Sequence, residues 1–147
     1  MVVRDLLRKK GSDVITIEPD RDIGTAARLL MRYEIGGLPV ATRTGKLVGF
    51  LAERDIVRVV DANVEGIRHL LVEHAMLRPA PVCSINDSLH ELMNRMTRLR
   101  QRHLVVLDGE RIEGVISVGD LVKHRLEELE TETGVLRDWV AARRAST

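Results

Sequence analysis

The chain has 147 residues, of which 44% are hydrophobic, so it is long enough to bury a core without disulfides or bound metal. Its 23 basic and 22 acidic residues leave a formal charge of +1, which argues against a general nucleic-acid or membrane binder. One Phe, one Tyr and one Trp predict an aliphatic core, and the single Cys83 excludes an internal disulfide and fits a reducing compartment.

The first ten residues mix charges with Leu6 and Leu7 and contain no apolar run long enough for a signal peptide or a membrane span. We therefore expect a soluble, cytoplasmic protein. An extended segment is predicted for residues 14–18, and a helix follows it with Asp22 near its start. Its apolar residues recur at helical spacing: Ile23, Ala26, Ala27, Leu30 and Met31.

Two apolar strands are predicted next, at residues 38–41 and 47–51, joined by a turn that contains Gly45. A second helix is expected to begin near Glu53. Residues 63–76 are predicted to be mostly helical. Because they include no Pro- or Ser-rich linker, we do not expect independent domains.

The second half of the chain repeats this order. An extended segment at 82–85 precedes a helical pattern, strands at 104–107 and 112–117, and a further helix that begins near Val118. The apolar residues of the first of these helices are Leu89, Leu92, Met93 and Met96.

The spacing between equivalent residues supports an internal repeat. Leu38 and Leu104 are 66 positions apart, while the motif that ends at Asp55 recurs 65 positions later at Asp120. The missing residue falls in a turn, where deletions concentrate. The order β-α-β-β-α therefore occurs twice, which predicts an α+β fold of two tandem repeats packed pseudo-symmetrically as one module.

We assign residues 1–66 to the first repeat with its N-terminal segment and residues 67–125 to the second. A long C-terminal helix is predicted over 119–143. Residues at alternating spacings of four and three form a heptad seam with one polar member: Val122, Leu126, Leu129, Thr133, Leu136 and Val140. The helix either packs on its own domain or mediates homodimerisation, and we favour the second interpretation, although Gly134 weakens a continuous coil.

Two pairs of motifs carry a resemblance to a known family. The first repeat contains Ile35-Gly36-Gly37-Leu38-Pro39-Val40 and, later, Gly49-Phe50-Leu51-Ala52-Glu53-Arg54-Asp55. The second contains Arg102-His103-Leu104-Val105-Val106 and Gly114-Val115-Ile116-Ser117-Val118-Gly119-Asp120. Over nearly the whole chain these motifs resemble a pair of CBS domains (cystathionine-β-synthase domains), of the short stand-alone bacterial type. The resemblance implies a regulatory module that binds an adenine nucleotide and is not an enzyme.

The chemistry of the second motif can be argued directly. Ser117 and Asp120 are three positions apart, so on the first turn of a helix they share a face. A carboxylate there can accept hydrogen bonds from ribose hydroxyls, and the amides of a helix N-terminus favour an anion. Gly36 and Gly37 are expected to leave room for a flat base beside the backbone.

In this family each pocket combines strand edges from one repeat with the Ser/Thr-x-x-Asp motif of the other. The resemblance implies a nucleotide site of Ile15, Ile35, Gly37, Arg102, His103, Ser117 and Asp120. Arg102 and His103 are expected to meet the phosphates. A weaker second site is implied at Arg54, Asp55, Pro81 and Gln101, where Ala52 replaces the hydroxyl residue.

Simpler interpretations stay open for these residues. Asp120 can act only as a helix cap, and Arg102 and His103 can be solvated residues at a strand end. A basic run can touch RNA, but a solvated surface is favoured because no aromatic residues interleave with it: Arg95, Arg98, Arg100 and Arg102. Cys83 is expected to be a buried, unreactive thiol.

No catalytic constellation, phosphate loop or metal-ligand spacing is present in the sequence. We therefore expect no enzyme activity and no cofactor. The predicted function is an adenine-nucleotide sensor for AMP, ADP or ATP, with NAD as a further option, that acts as a homodimer on an unknown downstream protein. The alternatives are an assembly module of the same fold without a ligand, and a nicotinamide-dinucleotide or nucleic-acid binder.

Overall fold

The computed structural model describes residues 1–11, 13–62 and 65–145. Each half of the chain forms a helix, a β-hairpin and a second helix, as the repeat predicts. In chain order the elements are α1 (Val3–Lys10), α2 (Ile23–Tyr33), β1 (Gly37–Ala41), β2 (Leu47–Ala52), α3 (Glu53–Ala62), a 3-10 helix (Ile67–His69), α4 (Val72–Ala75), β3 (Val82–Ser84), α5 (Leu89–Leu99), β4 (His103–Asp108), β5 (Arg111–Ser117) and α6 (Val118–Ala145).

The two sheets have equivalent topologies. In the second repeat, β3 runs parallel to β4 and β4 pairs antiparallel with β5. In the first repeat, β1 pairs antiparallel with β2, and Ile17 makes a single parallel bridge to Val40 where the second repeat has β3. The predicted α+β fold of two β-α-β-β-α repeats is confirmed, with the first extended segment reduced to that bridge.

The helix that opens each repeat begins at a side-chain cap. Asp22 accepts a hydrogen bond from the amide of Thr25 at 2.8 Å, and Ser88 accepts one from the amide of Glu91 at 3.4 Å. Along α2 the buried positions follow the predicted spacing through Ile23, Ala26 and Leu30. Met31 is 80% exposed, because it lies about 100° around the helix from Leu30 and outside the buried stripe.

The linker between the repeats is less helical than predicted. Asn63 and Val64 lie outside the described residues, and the rest of the segment forms only the 3-10 helix and the four-residue α4. Helix α4 contributes Val72 and Ala75 to the core of the first repeat, together with Ile17, Ile23, Ala26, Leu30, Leu38, Val40 and Leu51.

Helix α1 makes the reciprocal contact with the second repeat. Its buried side chains Val3, Leu6 and Leu7 lie in the core that also contains Cys83, Ile85, Leu89, Leu92, Met96, Leu104, Val106, Ile116 and Leu121. Each repeat is therefore covered by the short helix that precedes the other one. The division at residues 66 and 67 stays a prediction, and the core contacts of α1 and α4 cross it.

A glycine in each hairpin permits the chain that precedes one repeat to pack closely on the other. A Cβ atom on Gly114 of β5 would lie 2.8 Å from Cδ2 of Leu7, and one on Gly49 of β2 would lie 2.5 Å from Sδ of Met76. Neither approach is possible for a larger residue without displacement of the neighbouring side chain. The two glycines are equivalent in the repeat, so the same close packing occurs on both sides of the module.

Helix α6 extends well beyond the second repeat. Leu121 and His124 are buried, but the seam residues after them are exposed, as are nearly all others out to residue 144. The interpretation in which this helix packs on its own domain is therefore wrong for residues 125–144. The interpretation as a homodimer contact stays a prediction.

Candidate functional site

A cavity of about 270 Å³ lies between the two repeats. Its lining includes Leu7, Lys10, Gly11, Asp13, Val14, Ile15, Glu34, Ile35, Gly36, Gly37, His103, Gly114, Val115, Ser117 and Asp120. Six of the seven residues of the predicted nucleotide site are in this set. The cavity is slightly smaller than the roughly 300 Å³ at which small-molecule sites usually start, so only a small ligand fits without movement of its walls.

Arg102 is the predicted site residue that does not line this cavity. Its side chain is exposed, while its backbone carbonyl accepts a hydrogen bond from the amide of Val118 at 3.0 Å. Arg102 lies in a bend immediately before β4, whereas His103 is the first residue of that strand and lines the cavity. The expectation that Arg102 meets a bound phosphate there has no support in this geometry.

Ser117 and Asp120 form a reciprocal cap at the start of α6. The amide of Ser117 donates to Oδ2 of Asp120 at 2.8 Å, and the amide of Asp120 donates to Oγ of Ser117 at 3.1 Å. The capping role considered for Asp120 is therefore real. The cap uses only Oδ2, and no described residue donates a hydrogen bond to Oδ1, so one carboxylate oxygen is available at the cavity wall.

Lys10 is a residue of this site that the sequence analysis missed. It ends α1, and its Nζ lies 2.6 Å from Oδ2 of Asp120 and 2.7 Å from the carbonyl oxygen of Val115. The apolar spacing of Val3, Leu6 and Leu7 is the signal that could have predicted α1 as an amphipathic helix. It could not have shown which repeat the helix covers, and hence where Lys10 lies.

The ion pair changes the ionisation of Asp120. Burial acts to raise the pKa of this carboxyl, but the hydrogen bonds from Lys10 and from the Ser117 amide outweigh it and hold the pKa below its ordinary value of 3.8. A depressed folded-state pKa stabilises the fold above the unfolded-state value, and this contribution is lost as the pH falls through the folded-state pKa.

We expect Lys10→Met to raise the pKa of Asp120, because the ammonium that favours the carboxylate is removed while the carboxyl stays buried. The variant should be less stable than wild type at neutral pH, and the difference should shrink as the pH falls below about 4. Carboxyl NMR titration and urea unfolding at several pH values measure both effects. Lys9→Met is the matched control, since Lys9 is exposed. An unchanged Asp120 pKa in Lys10→Met would show that the ion pair is absent in solution.

His103 is a neutral ring at neutral pH. Burial lowers its pKa below the ordinary value of 6.5, an effect that Glu53 opposes and Lys10 strengthens. The ring packs on Phe50, with the two ring centroids 5.3 Å apart and their planes inclined by 35°. The ring of His103 therefore carries no positive charge at neutral pH, and its contact with a phosphate stays a prediction.

The two glycines of the first motif are packed against aromatic rings. A Cβ atom on Gly37 would lie 2.4 Å from Cζ of Phe50, and one on Gly36 would lie 3.0 Å from Nε2 of His103. The protein's own rings occupy the space beside both glycines, so the room expected there for a flat base is filled in this structure. Binding of a base near Gly37 stays a prediction.

The family follows from a comparison with known proteins. The model of the CBS domain matches residues 3–62 and 72–127, which is most of the chain and both repeats. The chain belongs to the CBS domain family.

Solved structures of CBS proteins have the same fold. A CBS-domain containing protein from Agrobacterium tumefaciens is 39% identical and superposes with a TM-score of 0.80, over 84% of this chain and 92% of that one. At 20% identity and a TM-score of 0.72, over 86% of this chain and 96% of the other, CBSX2 shares the fold, and its structure is a complex with AMP.

The curated relatives are longer proteins. Inosine-5'-monophosphate dehydrogenase from Methanocaldococcus jannaschii is 31% identical over 115 residues. The match covers 77% of this chain but only 22% of the dehydrogenase, so the chain spans about a fifth of that relative's length. The similarity concerns the CBS region and carries no statement about dehydrogenase activity.

The residues predicted for the second site line neither the small cavity nor the larger groove described below. Asp55 again accepts a hydrogen bond from the residue three positions earlier, the amide of Ala52, at 2.9 Å. It also pairs with Arg58 at 3.2 Å and is only 7% exposed. Arg54 is exposed, and Gln101 has a buried side-chain oxygen without a hydrogen-bond partner among the described residues. The carbonyl oxygen of Pro81 accepts a hydrogen bond from the amide of Val105 at 2.8 Å. Binding at this second site stays a prediction.

Ala52 leaves the cap of α3 half complete, so we expect Ala52→Ser to stabilise the protein. A serine hydroxyl at this position can accept the amide of Asp55, as Ser117 accepts that of Asp120. Caps of this kind contribute about 0.5–2 kcal/mol to the free energy of unfolding, measurable by urea denaturation. Ser117→Ala should lower stability by a similar amount. A destabilised Ala52→Ser protein would contradict the assignment of residue 52 as the N-cap.

A larger, more open groove of about 1400 Å³ lies elsewhere, between the two hairpin turns. It contains none of the predicted site residues. Its charged lining residues are Arg21, Arg43, Lys46, Arg78, Arg111, Glu18 and Glu110. We assign the site to the smaller cavity, because the available oxygen of Asp120 and the start of a long helix meet there.

The structure also bears on metal-ion binding, thiol reactivity and membrane-spanning helices. Among residues 1–11, 13–62 and 65–145, no group of three or more His, Cys, Asp or Glu side chains could hold a metal ion. Burial, assisted by Asp87, raises the pKa of the Cys83 thiol to about 12, so the thiol is protonated at neutral pH. In the described part of the chain, each helix is too short or too polar to cross a bilayer.

Proposed function

We propose that the chain is a regulatory CBS module that binds an adenine nucleotide, AMP, ADP or ATP, in the cavity at Ser117 and Asp120. The observation that carries this proposal is the free Oδ1 of Asp120, held at the cavity wall by a cap that uses only the other oxygen. A carboxylate oxygen without a protein donor, next to a serine hydroxyl, suits the two hydroxyls of a ribose. The AMP complex of CBSX2, which has the same fold, supports this choice of ligand class.

The phosphate partners differ from those expected from the sequence. Lys10 places an ammonium 2.6 Å from Asp120, so it can reach a phosphate attached to the same ribose. The first amides of α6 add a favourable electrostatic contribution for an anion. His103 supplies a neutral hydrogen-bond donor. Ile15 and Ile35 give the cavity an apolar side for the base.

Ligand binding can change the arrangement of the two repeats, because three parts of the chain form the cavity. The end of α1, the first repeat and the second repeat all contribute lining residues. A ligand that contacts all three stabilises one arrangement of the repeats over others, and differential affinity supplies the population shift. We propose that a homodimer carries this change to a downstream protein in the cytoplasm and that the module itself catalyses no reaction.

The test is calorimetric titration of AMP, ATP and NAD into the full chain, with thermal stabilisation as a second readout. Micromolar binding of one adenine nucleotide, with a matching rise in the melting temperature, would support the sensor and name its ligand. No heat and no stabilisation with any of the three would contradict the proposal.

A second candidate function is an assembly module without a ligand, favoured by the exposed apolar seam of α6. Truncation after His124 distinguishes it, because the residues removed are almost all exposed in one protomer. Loss of the dimer with no ligand found for the full chain would favour assembly. The nucleic-acid alternative predicts instead a salt-sensitive retention of RNA.

A further inference from the structure

Beyond His124, its last buried residue, helix α6 is almost entirely exposed. From Arg125 to residue 145 it spans about 30 Å at 1.5 Å per residue. Isolated helices of this length are marginal in water, because most helical stability in proteins comes from packing of an apolar side. Five seam residues expose between 41% and 63% of their surface: Val122, Leu126, Leu129, Leu136 and Val140. A second helix on this seam would remove that surface from water.

The polar member of the seam does not oppose burial. The hydroxyl of Thr133 donates to the carbonyl oxygen of Leu129 at 2.9 Å within its own helix. Its hydrogen bond is therefore already made, and a partner helix can pack on its methyl group without leaving an unsatisfied donor. Gly134 lies beside the seam, not on it.

Charges on the two sides of the seam identify the partner and its direction. With Leu126, Thr133 and Val140 at heptad position a, Arg125 and Glu132 occupy position g, and Glu130 and Arg137 occupy position e. In a parallel, in-register pair each g residue meets the e residue five positions later in the other copy. Arg125 then meets Glu130, and Glu132 meets Arg137. Two attractive contacts form on each side of the pair, four in total.

The antiparallel pairs are less favourable. If Val122 of one copy meets Val140 of the other, Glu130 meets Glu130, Glu132 meets Glu132 and Lys123 meets Arg137, all like charges. An antiparallel register in which Leu126 meets Leu129 has attractive charges. It leaves Val140 uncovered and places Leu136 opposite Gly119, which has no side chain to pack on it, because the opposite helix begins only at Val118.

We propose that two copies of this chain associate through a parallel, in-register coiled coil of α6, with Arg125–Glu130 and Glu132–Arg137 contacts between the copies. Arg125 is already paired with Glu128 on its own helix at 3.0 Å, but both groups are exposed, and such pairs contribute little and exchange readily. The inference rests on the homodimer part of the proposed function and does not depend on nucleotide binding.

Cysteine cross-linking of the full chain tests the direction. Val122→Cys and Val140→Cys are prepared separately, oxidised alone and as a mixture, and wild type is the control because its single Cys83 is buried. The parallel pair predicts a disulfide dimer from each variant alone. Cross-links that form only in the mixture would overturn the parallel arrangement in favour of the centred antiparallel one. Absence of any cross-link, with a monomer by light scattering, would overturn the homodimer itself.

Charge exchange tests the contacts. Glu130→Lys with Glu132→Lys should weaken the dimer, and so should Arg125→Glu with Arg137→Glu, because each double variant places like charges at every g–e contact. A mixture of the two should restore dimers as heterodimers. The control Glu127→Lys with Asp138→Lys has the same charge change at exposed positions away from the seam and should dimerise as wild type. Equal dimer dissociation constants for all variants would overturn the proposed contacts, whatever the outcome of nucleotide titration.

Discussion

Asp120→Ala is expected to lower the affinity of the module for an adenine nucleotide by a factor of about 10 to 100. The free Oδ1 of this carboxylate is the acceptor proposed for the ribose, and hydrogen bonds to charged groups contribute about 1.5–3 kcal/mol each. The effect is measured by titrating AMP or ATP into wild type and variant under the same salt conditions.

Asp120→Ala also removes a helix cap, so the affinity change needs a control for lost stability. Asp55→Ala is the matched variant, because Asp55 caps α3 through the same kind of contact to the amide of Ala52 and does not line the cavity. We expect Asp55→Ala to unfold more easily and to leave the nucleotide affinity of the cavity at Asp120 unchanged. Equal losses of affinity in the two variants would show that Asp120 acts only through folding.

Leu7→Ala is expected to lower the free energy of unfolding by about 2–5 kcal/mol, the usual range for removal of a buried leucine side chain. Leu7 is 6% exposed and packs over Gly114 of the second repeat, in the same core as Leu104 and Ile116. The residue lies near the start of the chain, where truncation and substitution are commonly tolerated. Urea denaturation measures the loss.

Leu99→Ala provides the comparison for that experiment. Leu99 is 53% exposed at the end of α5, so its substitution should change stability by no more than about 0.5 kcal/mol. If Leu7→Ala also left stability nearly unchanged, α1 would not be docked on the second repeat in solution. Lys10 would then not be held beside Asp120.

These two predictions meet in α1, which connects the core to the site. Leu7 anchors the helix to the second repeat, and Lys10, one turn later, pairs with Asp120. We therefore expect Leu7→Ala to weaken nucleotide binding as well as stability, because a loosened α1 no longer holds Lys10 at the cavity. A ligand at Asp120 should in turn protect the amides of α1 from hydrogen exchange.

Much of the fold is determined by local patterns in the sequence. Hydrophobic periodicity and the 65- or 66-residue repeat predicted the long helices and the hairpins of the two repeats and their order, because these patterns are read from residues close together in the chain. The Ser117–Asp120 contact was predictable for the same reason, since three positions on a first helical turn are always neighbours. The heptad seam of α6 was also visible, but the sequence left open whether it packs on its own domain, and only the structure showed that it is exposed.

Only the tertiary structure decided which sheet each short helix covers. An amphipathic helix such as α1 must bury one side, but its sequence does not say against which repeat. Here α1 packs on the second repeat and α4 packs on the first. That arrangement brings Lys10 to Asp120, and the packing of the two repeats places His103, but not Arg102, at the cavity. These are contacts between residues about a hundred positions apart. The sequence by itself determined the repeated elements and the capped carboxylate, and long-range packing decided which charge meets it.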